Sequence, residues 1–191
     1  MVPCGSRMIE ITFRGRGGQG TVVASEILGR AYFLEGKYPQ CFSVFGGERR
    51  GAPVMGFVRV DDKPILLKCQ ITRADQLVLF DLSLIDECEI EQALKPGGVV
   101  LINATQGRFS ITGVSGFRIG AVDAASIARS VGLGGTVNTA MLGAYARLTN
   151  AVSMETLIEA VKAMVPAKAE ANVQALRQGY AEAVVYQAGA V

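Results

Sequence analysis

Two hydrophobic periods alternate along this chain, and the switches between them predict an α/β fold. Met8 to Phe13 is an apolar, strand-like segment. Beyond a glycine-rich turn, Val23, Ala24, Ile27, Leu28, Ala31 and Tyr32 recur at i, i+1, i+4, i+5, i+8 and i+9. That wide apolar stripe predicts a helix from near Thr21 to near Gly36, packed on the sheet. Lys37 to Phe45 and Pro53 to Val60 read as extended segments, and Asp61-Asp62-Lys63-Pro64 turns into a further extended piece, Ile65-Leu66-Leu67. This region leaves room for an antiparallel pairing. Gln76 to Phe80 predicts a buried strand, Ser83 to Leu94 a helix stopped by Lys95-Pro96-Gly97-Gly98, and Val99 to Asn103 another central strand. Such a βαβ unit implies a parallel sheet.

Phe117 to Val122 adds a short strand, and Asp123 is a good N-cap for a helix through Val131. From Thr136 onward the pattern is helical. Leu157, Ile158, Val161, Met164 and Val165 form one face, and Pro166 opens a last helix carrying Val173, Leu176, Tyr180 and Val184. Residues 1–7 have no period and read as a loose leader. The expectation is one domain over residues 1–191: a Rossmann-like, mostly parallel sheet flanked by helices, with a helical C-terminal region.

Composition narrows the chemistry. Half the residues are hydrophobic and 19% are charged, which favours a globular protein that hides surface against a partner subunit. The net charge of +2 gives no basic patch for nucleic acid. No apolar run reaches the roughly 18 residues of a membrane span, and the N-terminus lacks a signal-peptide core, so a cytoplasmic protein is expected. With no histidine there is no His base, triad or His metal ligand. Cys4, Cys41, Cys69 and Cys88 are separated by 37, 28 and 19 residues, unlike an iron–sulfur or zinc site. Cys41 and Cys69, in apolar context, read as reduced, buried small hydrophobes.

Candidate chemistry begins at Gly15-Arg16-Gly17-Gly18-Gln19-Gly20, between the first strand and the helix at Thr21. Gly15, Gly17 and Gly20 fit G-x-G-x-x-G. Glycines let backbone amides approach a ligand, and the helix adds unpaired N–H groups and the positive end of its dipole. The pattern alone is weak. A dinucleotide site needs an acidic residue about 20 residues on, whereas Glu48 lies 28 past Gly20. No Gly-Lys-Ser/Thr follows, which excludes a P-loop. Two readings stand side by side: a phosphate-compatible turn, or glycines that only let helix and strand pack closely.

The loop around Glu48, Arg49, Arg50 and Gly51 should lie at the same carboxyl edge of the sheet, where α/β ligands bind. Its paired arginines offer forked donors for phosphate or carboxylate, or contacts at a subunit interface. Gly132 to Thr139 is a second glycine-rich approach to a helix. Thr136 is the preferred cap there, and Asn138 caps or points an amide into the cleft. Asp81, after the strand ending at Phe80, is either an N-cap or a site carboxylate.

The chain resembles the gamma subunit, or gamma domain, of 2-oxoacid:ferredoxin oxidoreductases of the pyruvate type. The resemblance rests on Arg14 to Gly20, Gly36-Lys37-Tyr38, Glu48-Arg49-Arg50-Gly51-Ala52-Pro53-Val54, Arg59 with Pro64-Ile65, and Asn138 to Ala144, and it spans nearly the whole chain. It departs at Gly46-Gly47, where a single glycine and a larger residue are expected. The resemblance implies a multi-subunit enzyme that decarboxylates a 2-oxoacid, joins the acyl group to coenzyme A and reduces ferredoxin. Thiamine diphosphate and [4Fe-4S] clusters would lie on alpha, beta and ferredoxin-like delta partners, with no cofactor held by this chain alone and no catalytic residue on it. Coenzyme A would meet Gly15, Arg16, Gly17, Gly18, Gln19, Gly20, Thr21, Glu48, Arg49, Arg50, Gly51 and Asn138. The alternatives are a free-standing dinucleotide-binding protein and the gamma subunit of a branched-chain 2-oxoacid enzyme.

Overall fold

Strand β1 (Ile9–Arg16) divides its side chains between two cores, as the two-residue repeat of a strand requires. Ile11 and Phe13 are wholly buried with helix α1 (Thr21–Leu34) on one face, while Glu10, Thr12, Arg14 and Arg16 take the other. The computed structural model describes residues 8–46, 51–84, 87–105, 116–165 and 167–186. After α1 come β2 (Tyr38–Phe45), β3 (Pro53–Asp61), β4 (Ala74–Leu79), a 3-10 turn (Leu82–Leu84), α2 (Glu87–Ala93), β5 (Leu94–Asn103) and β6 (Arg118–Val122). Helices α3 (Ala124–Ser130), α4 (Asn138–Thr149), α5 (Met154–Met164) and α6 (Ala169–Glu182) follow, and β7 (Val184–Tyr186) ends the described chain.

The strands form one seven-stranded sheet in the order β2-β3-β1-β4-β5-β6-β7. β1, β4, β5 and β6 are mutually parallel, and β3, β2 and β7 run against their neighbours. The expected α/β class and mostly parallel centre are therefore present. The two faces are covered unequally. Residues of α1, α3, α4, α5 and α6 share one core with β1, while α2 supplies the helical residues, Ile90 and Ala93, of the other. Central strands buried on both faces, such as Leu77-Val78-Leu79, read as continuous apolar runs for that reason.

Several boundaries differ from expectation. β2 is an edge strand joined to β3 as a hairpin, so it is not a parallel neighbour of β1. Residues 64–68 carry no strand, because Arg59 captures this loop instead: its Nη1 donates to the Cys69 carbonyl at 2.8 Å. The helix expected from Ser83 begins as a 3-10 turn, and Lys95 to Gly98 lie inside β5 as an irregularity between the pairs Leu94–Ala74 and Val99–Gln76 with β4. Val184 leaves the last helix for β7, which pairs with β6. The expected start at Pro166 lies outside the described residues, and α6 begins at Ala169 behind Lys168 in the left-handed region. Cys41 and Cys69 are exposed as residues rather than buried. The Cys41 sulfur alone is tucked against α1, donating to the Ser25 carbonyl at 3.5 Å, and this desolvation pushes its thiol pKa up to about 11.

The two layers are pinned by polar groups that could not be left unpaired in the core. The Tyr145 hydroxyl, wholly buried, donates to Gln76 Oε1 at 2.5 Å and shares a 2.9 Å hydrogen bond with Tyr32, tying α4, β4 and α1 together. Burial pushes the Tyr145 pKa well above the usual phenol value. On the opposite face Arg59, 1% exposed, donates to Glu10 at 2.9 Å, and Lys95 bridges Glu10 and Asp75 at 2.9 and 2.8 Å. Among the described residues no helix is long and apolar enough to cross a membrane.

Candidate functional site

The β1–α1 turn sits at the carboxyl ends of the parallel strands because β1 stops at Arg16 and the glycines reverse the chain. Gly18 (φ 101°) and Gly20 (φ 81°) take left-handed backbone angles that disfavour residues with a Cβ. A Cβ on Gly15 would lie 2.1 Å from Thr21 Oγ1, so the strand can approach the helix start only as glycine. Gly15 thus serves close packing of helix and strand, while Gly18 and Gly20 shape the turn.

Side chains of the turn hold it to its neighbours. The Gln19 carboxamide accepts from the Arg16 N–H at 2.7 Å and donates to the Phe80 carbonyl at 3.4 Å, linking the turn to the end of β4. Arg16 reaches across the same edge, donating from Nε to Asp81 Oδ2 at 2.8 Å, from Nη1 to the Gly51 carbonyl at 3.2 Å and from Nη2 to Ser83 Oγ at 2.8 Å. Asp81 also accepts from the Ser83 N–H and hydroxyl, so it caps the 3-10 turn and neutralises Arg16 at once. Partial burial pushes the Asp81 pKa up, but the Ser83 hydrogen bonds and the Arg16 charge outweigh it and hold the carboxyl below its ordinary value.

The hairpin loop and the start of α4 complete the edge. Gly17 N–H donates to the Ala52 carbonyl at 3.0 Å, which places the β2–β3 connection beside the glycine turn. This shared edge was expected from a parallel second strand; it arises instead because two antiparallel steps, β1 to β3 and β3 to β2, restore the original direction. Gly51 (φ 85°) lies in that connection, while the positions of Glu48, Arg49 and Arg50 fall outside the described residues. Asn138, 2% exposed, packs on Gly20, where a Cβ would meet its carboxamide at 2.9 Å. Thr136 does not cap α4: the N-cap is Val137, without a side-chain bond, and Asn138 Oδ1 accepts from the Thr139 N–H at 2.9 Å.

Gly15, Arg16, Gly17, Gly18, Gln19, Gly20, Thr21, Gly51 and Asn138 are therefore brought together, joined by Asp81, Ser83 and the Phe80 carbonyl. Ser83 carried no signal in the sequence, since its role depends on the 3-10 turn. α1 begins without a side-chain cap, so its first amides keep their donor capacity. The Thr21 hydroxyl beneath them is 2% exposed and has no hydrogen-bond partner. Uncapped helix amides over a buried hydroxyl are donors compatible with an anion. Among the described residues no cluster of three or more His, Cys, Asp or Glu side chains is placed to hold a metal.

Known proteins agree with this architecture over nearly the whole chain. The pyruvate synthase subunit PorC of Methanothermobacter thermautotrophicus is 45% identical over 92% of this chain and 96% of its own. The pyruvate/ketoisovalerate oxidoreductases common subunit gamma of Thermococcus litoralis is 44% identical over 94% of this chain and 100% of its own. The crystal structure of pyruvate oxidoreductase subunit PORC from Thermotoga maritima superposes with a TM-score of 0.82 at 32% identity, covering 95% of this chain and 100% of that one. A 2-oxoglutarate:ferredoxin oxidoreductase from Magnetococcus marinus, solved with 2-oxoglutarate, coenzyme A and succinyl-CoA bound, shares the fold: TM-score 0.77, 23% identity, 92% of this chain but 31% of that one. The family model described as pyruvate ferredoxin/flavodoxin oxidoreductase matches residues 10–182, and with these near-full-length relatives it shows that the chain belongs to that family.

Proposed function

We propose that this chain is the gamma subunit of a 2-oxoacid:ferredoxin oxidoreductase that converts pyruvate, coenzyme A and oxidised ferredoxin to acetyl-CoA, carbon dioxide and reduced ferredoxin, and that its glycine turn contributes to the coenzyme A site. The names of the relatives support the pyruvate reaction. The observation that carries the site is the uncapped start of α1 lying over a buried, partnerless Thr21 hydroxyl at the edge where Gly17 touches the hairpin loop. Fixed N–H donors at a helix start suit the phosphates of coenzyme A.

In this reading thiamine diphosphate, bound between the alpha and beta chains, supplies the carbanion chemistry, and [4Fe-4S] clusters on the ferredoxin-like delta partner carry electrons to ferredoxin in the cytoplasm. This chain binds and orients. Gly18 and Gly20 expose amides, Asn138 fixes the back of the turn, and Arg16 holds the edge rigid while Asp81 offsets its charge. Arg49 and Arg50, with Glu48 beside them, add forked donors from the adjoining loop.

Charge reversal of Arg49 and Arg50 in the assembled enzyme tests this. A raised coenzyme A requirement with intact assembly and an unchanged pyruvate KM is expected. An unchanged coenzyme A requirement refutes the ligand role, and dissociation of the complex assigns the loop to assembly instead.

A further inference from the structure

Five of the six exposed large apolar side chains among the described residues, Phe33, Tyr38, Phe45, Leu66 and Leu67, gather along one edge of the sheet. Phe33 and Tyr38 line a pocket of about 400 Å³ with Gly29, Arg30, Pro39 and Cys41, between α1 and β2. On the other face of β2, Gln40 holds the Leu67 carbonyl at 2.7 Å, which brings the Leu66-Leu67 pair to the same edge. β2 itself, Tyr-Pro-Gln-Cys-Phe-Ser-Val-Phe, has no charged residue. Natural sheets guard such edges with charges, bulges or cover, and Pro39 is the one such guard here.

We infer that a second copy of this chain covers this edge, β2 pairing antiparallel with its own counterpart about a twofold axis at Phe42. The hydrogen-bond parity of the strand supports this. Gly46 N–H donates to the Pro53 carbonyl at 2.9 Å, and Phe45 stands opposite Val54, so even-numbered residues exchange bonds with β3. The odd residues therefore turn their groups outward: the N–H groups of Cys41, Ser43 and Phe45, and the carbonyls of Pro39, Cys41, Ser43 and Phe45. Proline at 39 costs β3 no bond for the same reason.

An axis through Phe42 sets Cys41 opposite the second copy's Ser43, and Pro39 opposite its Phe45. Every outward N–H then finds a carbonyl: Cys41 to Ser43, Ser43 to Cys41, and Phe45 to Pro39. The missing proline donor faces only the Phe45 carbonyl at the strand end. Odd side chains share the α1 face, since a Cβ on Gly29 would lie 2.3 Å from the Cys41 sulfur and 3.7 Å from Pro39 Cβ. Cross-strand partners project to one face, so the second copy's Phe45 enters the pocket beside Phe33 and Pro39. An uncharged strand lets the two copies approach without repulsion, and closed twofold pairing uses up the edge so that no fibre can grow. This inference is independent of the coenzyme A reading.

The test measures the mass of the full-length chain by sedimentation, together with amide hydrogen exchange by NMR. The expected particle has twice the 20.2 kDa of one chain, with amides 40 to 45 all slow to exchange. Phe45→Lys, at a side chain 63% exposed, should halve the mass and speed exchange at least tenfold at Cys41, Ser43 and Phe45 only. Retained protection at Gln40, Phe42 and Val44 reports that the variant is folded. Ser43→Pro, which removes an outward N–H but none used by β3, should do the same. A monomeric wild-type chain, a dimer indifferent to both changes, or odd amides protected only when other subunits are added would each overturn the inference.

Discussion

Gly143→Ala should destabilise the protein although alanine is the better helix former. α4 and α6 touch backbone to backbone: a Cβ on Gly143 would lie 1.9 Å from the Leu176 carbonyl oxygen, and one on Gly179 would lie 2.0 Å from that of Ala140. Ordinary contact begins at 3.4 Å, so the helices must part by about 1.5 Å, and neither carbonyl can swing away as a side chain would. Gaps of that size forfeit much of the dispersion energy along the seam and break the buried Thr139–Asn172 hydrogen bond of 3.2 Å. Overpacking costs roughly 1–3 kcal/mol, and a rigid backbone obstacle places this site at the upper end or beyond. Helix propensity returns about 1 kcal/mol. The net loss is about 2–3 kcal/mol, a fall in Tm of roughly 4–12 °C for a chain of this size. Urea unfolding followed by circular dichroism reads it directly. One separation accommodates both methyl groups, so the double variant with Gly179→Ala should lose less than the sum of the singles. An unchanged or raised midpoint for Gly143→Ala would refute the reasoning.

Gly20→Ala combines a left-handed backbone with a Cβ 2.9 Å from Asn138, and should cost about 1–2 kcal/mol in thermal unfolding while displacing the start of α4. Arg59→Ala removes one of the two cations that hold the Glu10 carboxylate and leaves the Cys69 carbonyl without its donor; because Lys95 still holds Glu10, the expected loss is about 1–3 kcal/mol by chemical denaturation. The Glu10 carboxyl feels burial first, which raises its pKa, but hydrogen bonds from Lys95 and Arg59 outweigh it and hold it below the ordinary carboxyl value. A depressed folded pKa contributes stability that is present above the unfolded value and lost as pH falls through the folded one. The urea midpoint should therefore drop on acidification below the unfolded glutamate pKa of about 4.3, and Glu10→Gln should flatten that drop; an identical slope in the variant would remove Glu10 from the account.

Local periodicity was enough for the main elements. The stripe from Val23 to Tyr32 named α1, continuous apolar runs named the central strands, and Asp123, which accepts from the Ser126 N–H at 2.9 Å, was legible as a cap because capping needs only neighbours in sequence. The glycine spacing likewise located the turn, since positive φ and close approach are properties of the glycines themselves. Partners distant in sequence left no such trace. β7 was hidden because a three-residue strand exists only through its pairing with β6, and the early start of β5 at Leu94 rests on its pairing with Ala74 of β4.

The sequence by itself determined an α/β chain with an anion-compatible turn, because hydrophobic period and glycine geometry act over a few residues. Tertiary structure alone decided that β2 is an edge, that Asp81 and Ser83 hold Arg16, that Asn138 rather than Thr136 serves the start of α4, and that Gly143 and Gly179 are contact points between helices. Each depends on which residues the sheet order and helix packing bring within hydrogen-bonding or van der Waals distance. Those contacts join residues far apart in the chain, 65 residues for Arg16 and Asp81 and 67 for Arg16 and Ser83, a range at which residue pattern carries no signal.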